Sequence, residues 1–349
     1  MGLPRSAYVK DGQEGVFHCF SRCVRRAFLC GTDPVTQSDF SHRKTWIVDR
    51  LRQLAAIFAI DVCAYAVMAN HFHTVLRTRP DIVDTWTDRE VATRWLTLFP
   101  IYCRKKDKLL PPSDDQISAL AINPHRIAIL RIRLSSLSWF MGRLNEFIAR
   151  AANNEDKLKG RFWESRFKCR PLLDVAAIAT CMAYVDLNLI RAGLAPTPED
   201  SSFTSIQQRI RAWHQQRSAP DSTARYNTQD PAETTTPSLP GEWLCPIQSN
   251  LNRRGILQMT DAEYFSLVDL SGRTLQSVKH ASIDANLAPI LLRLGIKPHA
   301  WLDTVSHFAS RFHLAAGRLP SLRSFANNTG RRWIAGLSSA RFAFASAPP

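Results

Sequence analysis

The stretch Tyr65-Ala66-Val67-Met68-Ala69-Asn70-His71-Phe72-His73-Thr74-Val75-Leu76 reads as a strand, a tight turn at Ala69-Asn70 and a second strand. Side chains alternate across a strand. His71, His73 and Val75 therefore share one face of the second strand, and Phe72, Thr74 and Leu76 share the other. Two imidazoles two residues apart on one strand face can reach a single metal ion. A pair of buried, backbone-bonded histidines fits the same pattern, and this stretch alone does not choose between them.

Upstream, Gly15 to Cys23 has the composition of a first strand and leads into a basic loop with Arg22, Arg25 and Arg26. Ser41 or Asp39 can cap a helix running from about His42 to Phe58, whose Ile47, Leu51, Leu54 and Phe58 keep the spacing of one helical face. Strand, helix, strand, strand is the opening of a ferredoxin-like sheet, which requires one more helix and one more strand.

Downstream, residues 81–160 read as an interrupted helical insertion. A helix over Asp84–Phe99 carries Trp86 and Trp95, and Pro100, Pro111-Pro112 and Asp114-Asp115 break the pattern. Arg126–Asn153 reads as one longer amphipathic helix with Leu130, Leu134, Leu137, Met141, Leu144 and Ile148 inward. From Arg126 to Arg170 there are eleven Lys/Arg against four carboxylates. That one-signed bias, interleaved with Trp139, Phe162, Trp163 and Phe167, fits base stacking between phosphate contacts as well as it fits a solvated helix face. An extended segment then ends at Pro171. Asp174 is placed to cap a helix that reaches Arg191, with Gly193 placed to stop it. Val175, Ile178, Met182, Val185 and Leu189 form its apolar stripe. Tyr184 and Asn188 stand one turn apart on the opposite, polar face, with Arg191 on the next turn.

Composition narrows the partners. The 349 residues carry a net charge of +15, which favours an anionic partner, nucleic acid before membrane. The eight cysteines include no Cys-x-x-Cys pair, as expected of reduced thiols in a cytoplasmic protein. No apolar run approaches membrane-spanning length and Met1–Lys10 lacks a signal-like core, so no membrane partner is expected. No glycine-rich phosphate loop is evident.

Asn70-His71-Phe72-His73, Gly160-Arg161-Phe162-Trp163-Glu164-Ser165-Arg166-Phe167 and Ala183-Tyr184-Val185-Asp186-Leu187-Asn188-Leu189-Ile190-Arg191-Ala192-Gly193-Leu194 together resemble the single-tyrosine HUH transposases, in the branch associated with repetitive extragenic palindromes (REP). The resemblance spans roughly residues 8–212. It implies an α+β fold, a ferredoxin-like antiparallel sheet with helices, extended here by the insertion and a C-terminal helical region. It implies Mg²⁺ or Mn²⁺ held by His71, His73 and Asn188. It also implies that Tyr184 attacks single-stranded or hairpin DNA, becomes linked to the 5′ phosphate and releases a 3′ hydroxyl. Arg161, Arg166, Lys168, Arg170 and Arg191 are the DNA-binding candidates. The family's Asn-Pro is replaced here by Asn188-Leu189. Chemically, a cation can neutralise the phosphate and stabilise the leaving oxygen, while a phenol with a reference pKa of about 10 needs help to act at neutral pH.

Residues 1–217 are thus expected to form the nuclease domain and 218–243, rich in Pro, Thr and Ser, a linker. Residues 244–349 are expected to form a helical domain, with helices over Asp261–Leu270, Asp284–Leu294 and Ala300–Phe312. Its scattered cations, among them Arg253-Arg254, Arg273, Lys279 and Arg331-Arg332, suit either a grip on a DNA stem or a packing role. The oligomeric state stays open between monomer and homodimer. The alternative function is a non-catalytic binder of structured single strands. A histidine-triad nucleotide hydrolase would need a histidine where Val75 stands.

Overall fold

The computed structural model describes residues 4–24, 29–33, 37–103, 108–218, 243–276 and 286–345. Arg25, Arg26 and Lys279 lie outside them, as does nearly all of the expected linker, residues 219–242.

The chain enters a four-stranded antiparallel sheet through β1 (Gly15–Arg22), passes down helix α1 (Arg43–Ile57) and returns through β2 (Ile60–Val67) and β3 (His71–Thr78). After the helical stretch it adds β4 (Lys168–Leu172), giving the spatial order β2-β3-β1-β4. Each neighbouring pair is antiparallel, which is the ferredoxin-like order the first strands called for. The turn between β2 and β3 falls at Ala69-Asn70, with the Met68 amide donating to the His71 carbonyl at 2.9 Å.

Helix α2 (Pro124–Leu134) and helix α3 (Leu137–Glu155) divide what the apolar periodicity reads as a single helix over Arg126–Asn153. The cause is local: Ser135 leaves the helical region and Ser136 turns extended, with ψ 121°. The Ser135 hydroxyl bonds back to the carbonyls of Arg131 and Ile132, a competition with the backbone ladder that short polar side chains offer. α3 then packs against α1, taking the place of the second helix of the βαββαβ order. Phe140, Met141, Leu144 and Ile148 are fully buried there with Phe17, Phe72 and Leu76 of the sheet. Each such side chain contributes about 1.5–3 kcal/mol relative to exposure. In the same stretch, the helix expected over Asp84–Phe99 starts later, at Asp88, where Thr87 and Glu90 form a reciprocal capping box.

The opposite sheet face is covered by α4 (Val175–Asp186), capped by Asp174, whose carboxylate accepts from the Ala177 amide at 3.0 Å. Leu187 interrupts the helix, and Asn188–Arg191 forms a separate turn closed by Gly193 at φ 68°. This turn geometry requires a left-handed residue, which glycine supplies without a Cβ clash.

Beyond α4, α5 (Ser205–Ser218) and α6 (Asp261–Gln276) lead into the C-terminal helices. The expected helix Ala300–Phe312 is again two, Trp301–Ser306 and Phe308–Arg311, and the expected Asp284–Leu294 helix is described as Leu287–Arg293. These elements share one apolar cluster with α4, with Val75 and with Ala66. They also cap both sheet edges. Ala316 pairs with β4, donating to the Pro171 carbonyl and accepting from the Leu173 amide, while the Cys245 amide donates to the Val62 carbonyl of β2. Covering an edge in this way removes the open backbone groups that recruit other chains. Among the described residues no helix is long and apolar enough to cross a membrane.

Candidate active site

β3 is the organising element. His71, His73 and Val75 face α4, while Phe72 and Leu76 point to the α1–α3 side. β1 lies beside β3 in a register that sets Phe20 opposite His73 and His18 opposite Val75. Alternation along β1 therefore brings His18 to the same face, diagonally from His73. Their rings stack at 5.1 Å, and Nε2 of His18 lies 2.9 Å from Nδ1 of His73. His71 meets His73 edge-on at 4.9 Å, and its Nδ1 donates to the Asn70 side-chain oxygen at 2.6 Å.

Tyr184, from α4, completes the cluster. Its ring is 5.7 Å from His73 and 5.9 Å from His18, edge-on to both. The structure corrects one expectation here. α4 has no polar outer face, because Ala176 through Asp186 are all buried and the C-terminal helices cover them. Tyr184 is 6% exposed. Its ring is held between Phe308, centroid to centroid at 5.6 Å, and the Arg191 guanidinium, 4.6 Å from the centroid.

His71, His73 and Tyr184 open into one cavity of about 230 Å³ whose rim carries Arg22, Arg166 and Lys168, with Glu164 as its carboxylate. Asn188 is buried and does not line it; its Nδ2 has no partner. Arg161 is exposed outside this cavity. Arg170 is buried, donating through Nε to the His313 carbonyl and through a terminal nitrogen to the Ala309 carbonyl. It fastens β4 to the C-terminal helices and is not presented to a ligand. The aromatic residues read as base-stacking candidates are also largely core: Phe162, Trp163 and Phe167 are buried, and Trp163 donates to the Asn145 carbonyl.

The environment keeps all three imidazoles neutral. Burial, then the Arg22 charge, lowers His71 to about 4. Burial dominates at His73 as well, reinforced by His18, His71, Arg170 and Arg191, and His18 is lowered by burial and Arg170. A neutral imidazole is the form that ligates metals. With Nδ1 of His71 donating to Asn70, its Nε2 carries a lone pair. The His18 Nε2–His73 Nδ1 pair shares one proton, and in the tautomer with that proton on His73, Nε2 of His73 carries a lone pair as well. The second partner of each ring is what fixes such a tautomer. Among the described residues no three His, Cys, Asp or Glu side chains gather as a metal site. Asn188, expected as the third ligand, does not line the cavity, and its unmatched atom is the amide nitrogen, a hydrogen-bond donor and not a metal ligand.

His18 escapes the sequence reading. The signal that could find it is the alternation His18, Phe20, Arg22 within β1, but that places it beside His73 only once β1 is paired with β3.

No protein-family model and no curated protein sequence matches the chain. Among solved structures, one described as a REP-associated tyrosine transposase bound to a REP hairpin aligns over 68% of this chain and 99% of its own. The identity is 12% and the TM-score 0.35. The fold stands on the chain's own strand order and register.

Proposed function

We propose that this chain is a metal-dependent transposase of single-stranded DNA, cleaving and rejoining strands through a 5′-phosphotyrosine on Tyr184. One juxtaposition carries the reading: a phenol from α4 packed edge-on against two neutral β-strand imidazoles, in a cavity with a cationic rim. Arg22, Arg166 and Lys168 would receive the backbone phosphates around the scissile one. Arg191, lying on the ring, fixes the plane in which the Tyr184 oxygen approaches phosphorus. The new oxygen–phosphorus bond forms as the bond to the 3′ oxygen breaks; the phenol gives its proton to water, and the departing oxygen takes one to leave as a 3′ hydroxyl. Attack by the 3′ hydroxyl of another strand reverses the step, so the phosphoester is conserved and no nucleotide cofactor is consumed.

Nε2 of His71 and Nε2 of His73, the ring nitrogens outside the two hydrogen bonds, would hold a dication such as Mg²⁺ or Mn²⁺, with water or phosphate oxygens completing its coordination. When bound, such an ion supplies charge to the scissile phosphate and the leaving oxygen. His18 would hold His73 in the required orientation.

A second reading, a binder of structured single strands that does not cleave, is favoured by the small exposure of Tyr184. The two part on one experiment. Incubation with labelled single-stranded hairpin DNA and Mn²⁺ should yield a protein-bound label that survives denaturation. Tyr184→Phe should abolish the label while hairpin binding persists. A binder that does not cleave would give no label with either protein.

A further inference from the structure

Behind the active-site cavity lies a second concavity. The loop from Gly160 to Lys168 forms the wall between them. It is tied to the end of β1 by the Val24 amide donating to Phe162 and the Glu164 amide donating to Arg22, each at 2.9 Å. Ser165 and Arg166 line both sides of that wall. The outer groove has a volume of about 610 Å³, within the range of small-molecule sites, roughly 300–1,000 Å³.

Its lining is cationic. Arg5, Arg161 and Arg166 line it, and none of its lining residues is acidic. Arg5 is fixed by a 2.7 Å bond to the Phe167 carbonyl and by its place 3.4 Å over the Phe167 ring. Arg161 has only a long 3.5 Å contact to the Glu164 carbonyl. Elsewhere on the molecule, arginines such as Arg79, Arg89, Arg131 and Arg254 are paired with carboxylates.

The far wall is α3. Asn145 donates from its amide nitrogen to the Ser21 hydroxyl at 2.9 Å, and its amide oxygen is buried without a partner. One turn earlier stands Gly142, exposed, where a Cβ would meet no atom within 4 Å. Glycine inside a long helix costs about 1 kcal/mol against alanine, and no local contact in the fold requires it here.

We propose that this groove holds a nucleotide of single-stranded DNA adjacent to the one whose phosphate reacts. The strand crosses the Ser165-Arg166 wall, with phosphates on Arg161 and Arg166 and a base laid over Gly142 toward the Asn145 amide. This rests on the transposase reading of the neighbouring cavity, and the test separates the two. Binding of fluorescein-labelled oligothymidylates is measured on full-length Tyr184→Phe protein, so that cleavage plays no part. Gly142→Phe, which fills the groove, should raise Kd at least tenfold. Arg161→Ala should lower the slope of log K against log[salt] by about 0.7. Because Arg161 is exposed, that variant decides the matter if Gly142→Phe proves unfolded. Wild-type Kd in folded Gly142→Phe, or an unaltered salt slope in Arg161→Ala, overturns the groove. Covalent adducts from the wild type alongside unaltered groove variants would sink this inference alone. Impaired binding by the groove variants without any wild-type adduct would sink the transposase reading and leave the groove standing.

Discussion

His18 holds Nδ1 of His73 from a strand remote in sequence, and its own Nδ1 is buried with no partner. An unsatisfied polar atom at that depth costs about 1–3 kcal/mol, which a purely apolar core would avoid. On the proposed reading, His18→Ala frees the His73 ring and should weaken Mn²⁺ binding about 10–100-fold, measured by calorimetric titration. Unchanged affinity would make His18 a packing residue only. The same cluster sets a pH dependence in chelated protein. Unfolded histidines take up protons near pH 6.5, whereas the folded ones, held low by burial, do not. The unfolded state then binds more protons, so stability should fall as pH drops from about 6.5 toward 4. Asp186, raised to about 6 by burial, opposes this but is one group against three. A melting temperature flat across that window would contradict the assignment. The His71, His73 pair was legible from spacing alone, because alternation is a local rule. His18 was not, because its place depends on strand register.

At the scale of elements, local punctuation was read well where its cause is local. Asp174 caps α4 and Gly193 ends the following turn as the residue types require. The breaks at Ser135-Ser136 and Leu187 are not legible in the sequence, since the apolar periodicity runs through both. The polar face expected of the helix that Asp174 caps, Tyr184 and Asn188 with Arg191 a turn on, fails for another reason: such residues look like surface residues until their neighbours, distant in sequence, are in place. Asp186 accepts from the Ser205 hydroxyl at 2.5 Å, the Ile206 amide at 3.0 Å and the Tyr264 hydroxyl at 2.6 Å, joining α4 to α5 and α6. Asp186→Ala leaves the Ile206 amide and the Tyr264 hydroxyl unpaired, while the Ser205 hydroxyl keeps the Tyr65 carbonyl at 3.2 Å, and should cost roughly 3 kcal/mol, read from urea unfolding. A loss below about 1 kcal/mol would show that these bonds are not maintained in solution.

For the molecule as a whole, the helical content of residues 244–349 was visible, but where it docks was not, because docking is set by faces and not by local pattern. The region covers Tyr184 through Phe308, takes the Arg170 guanidinium on its carbonyls and closes both sheet edges. A fragment of residues 1–217 would expose the outer side of α4 and both edges. It should bind a hydrophobic dye or aggregate where the full chain does not; a monodisperse, cooperatively melting fragment would contradict this packing.

The most direct measurement is the denaturation-resistant label itself. Purified full-length protein is incubated with 5′- or 3′-labelled single-stranded hairpin DNA and Mn²⁺, and the adduct is mapped by mass spectrometry. The account predicts label from the 3′-labelled strand only, with the 5′ phosphate of that fragment on Tyr184, and none with chelator or with Tyr184→Phe. A covalent link to another residue, or an adduct undiminished in Tyr184→Phe, would contradict it.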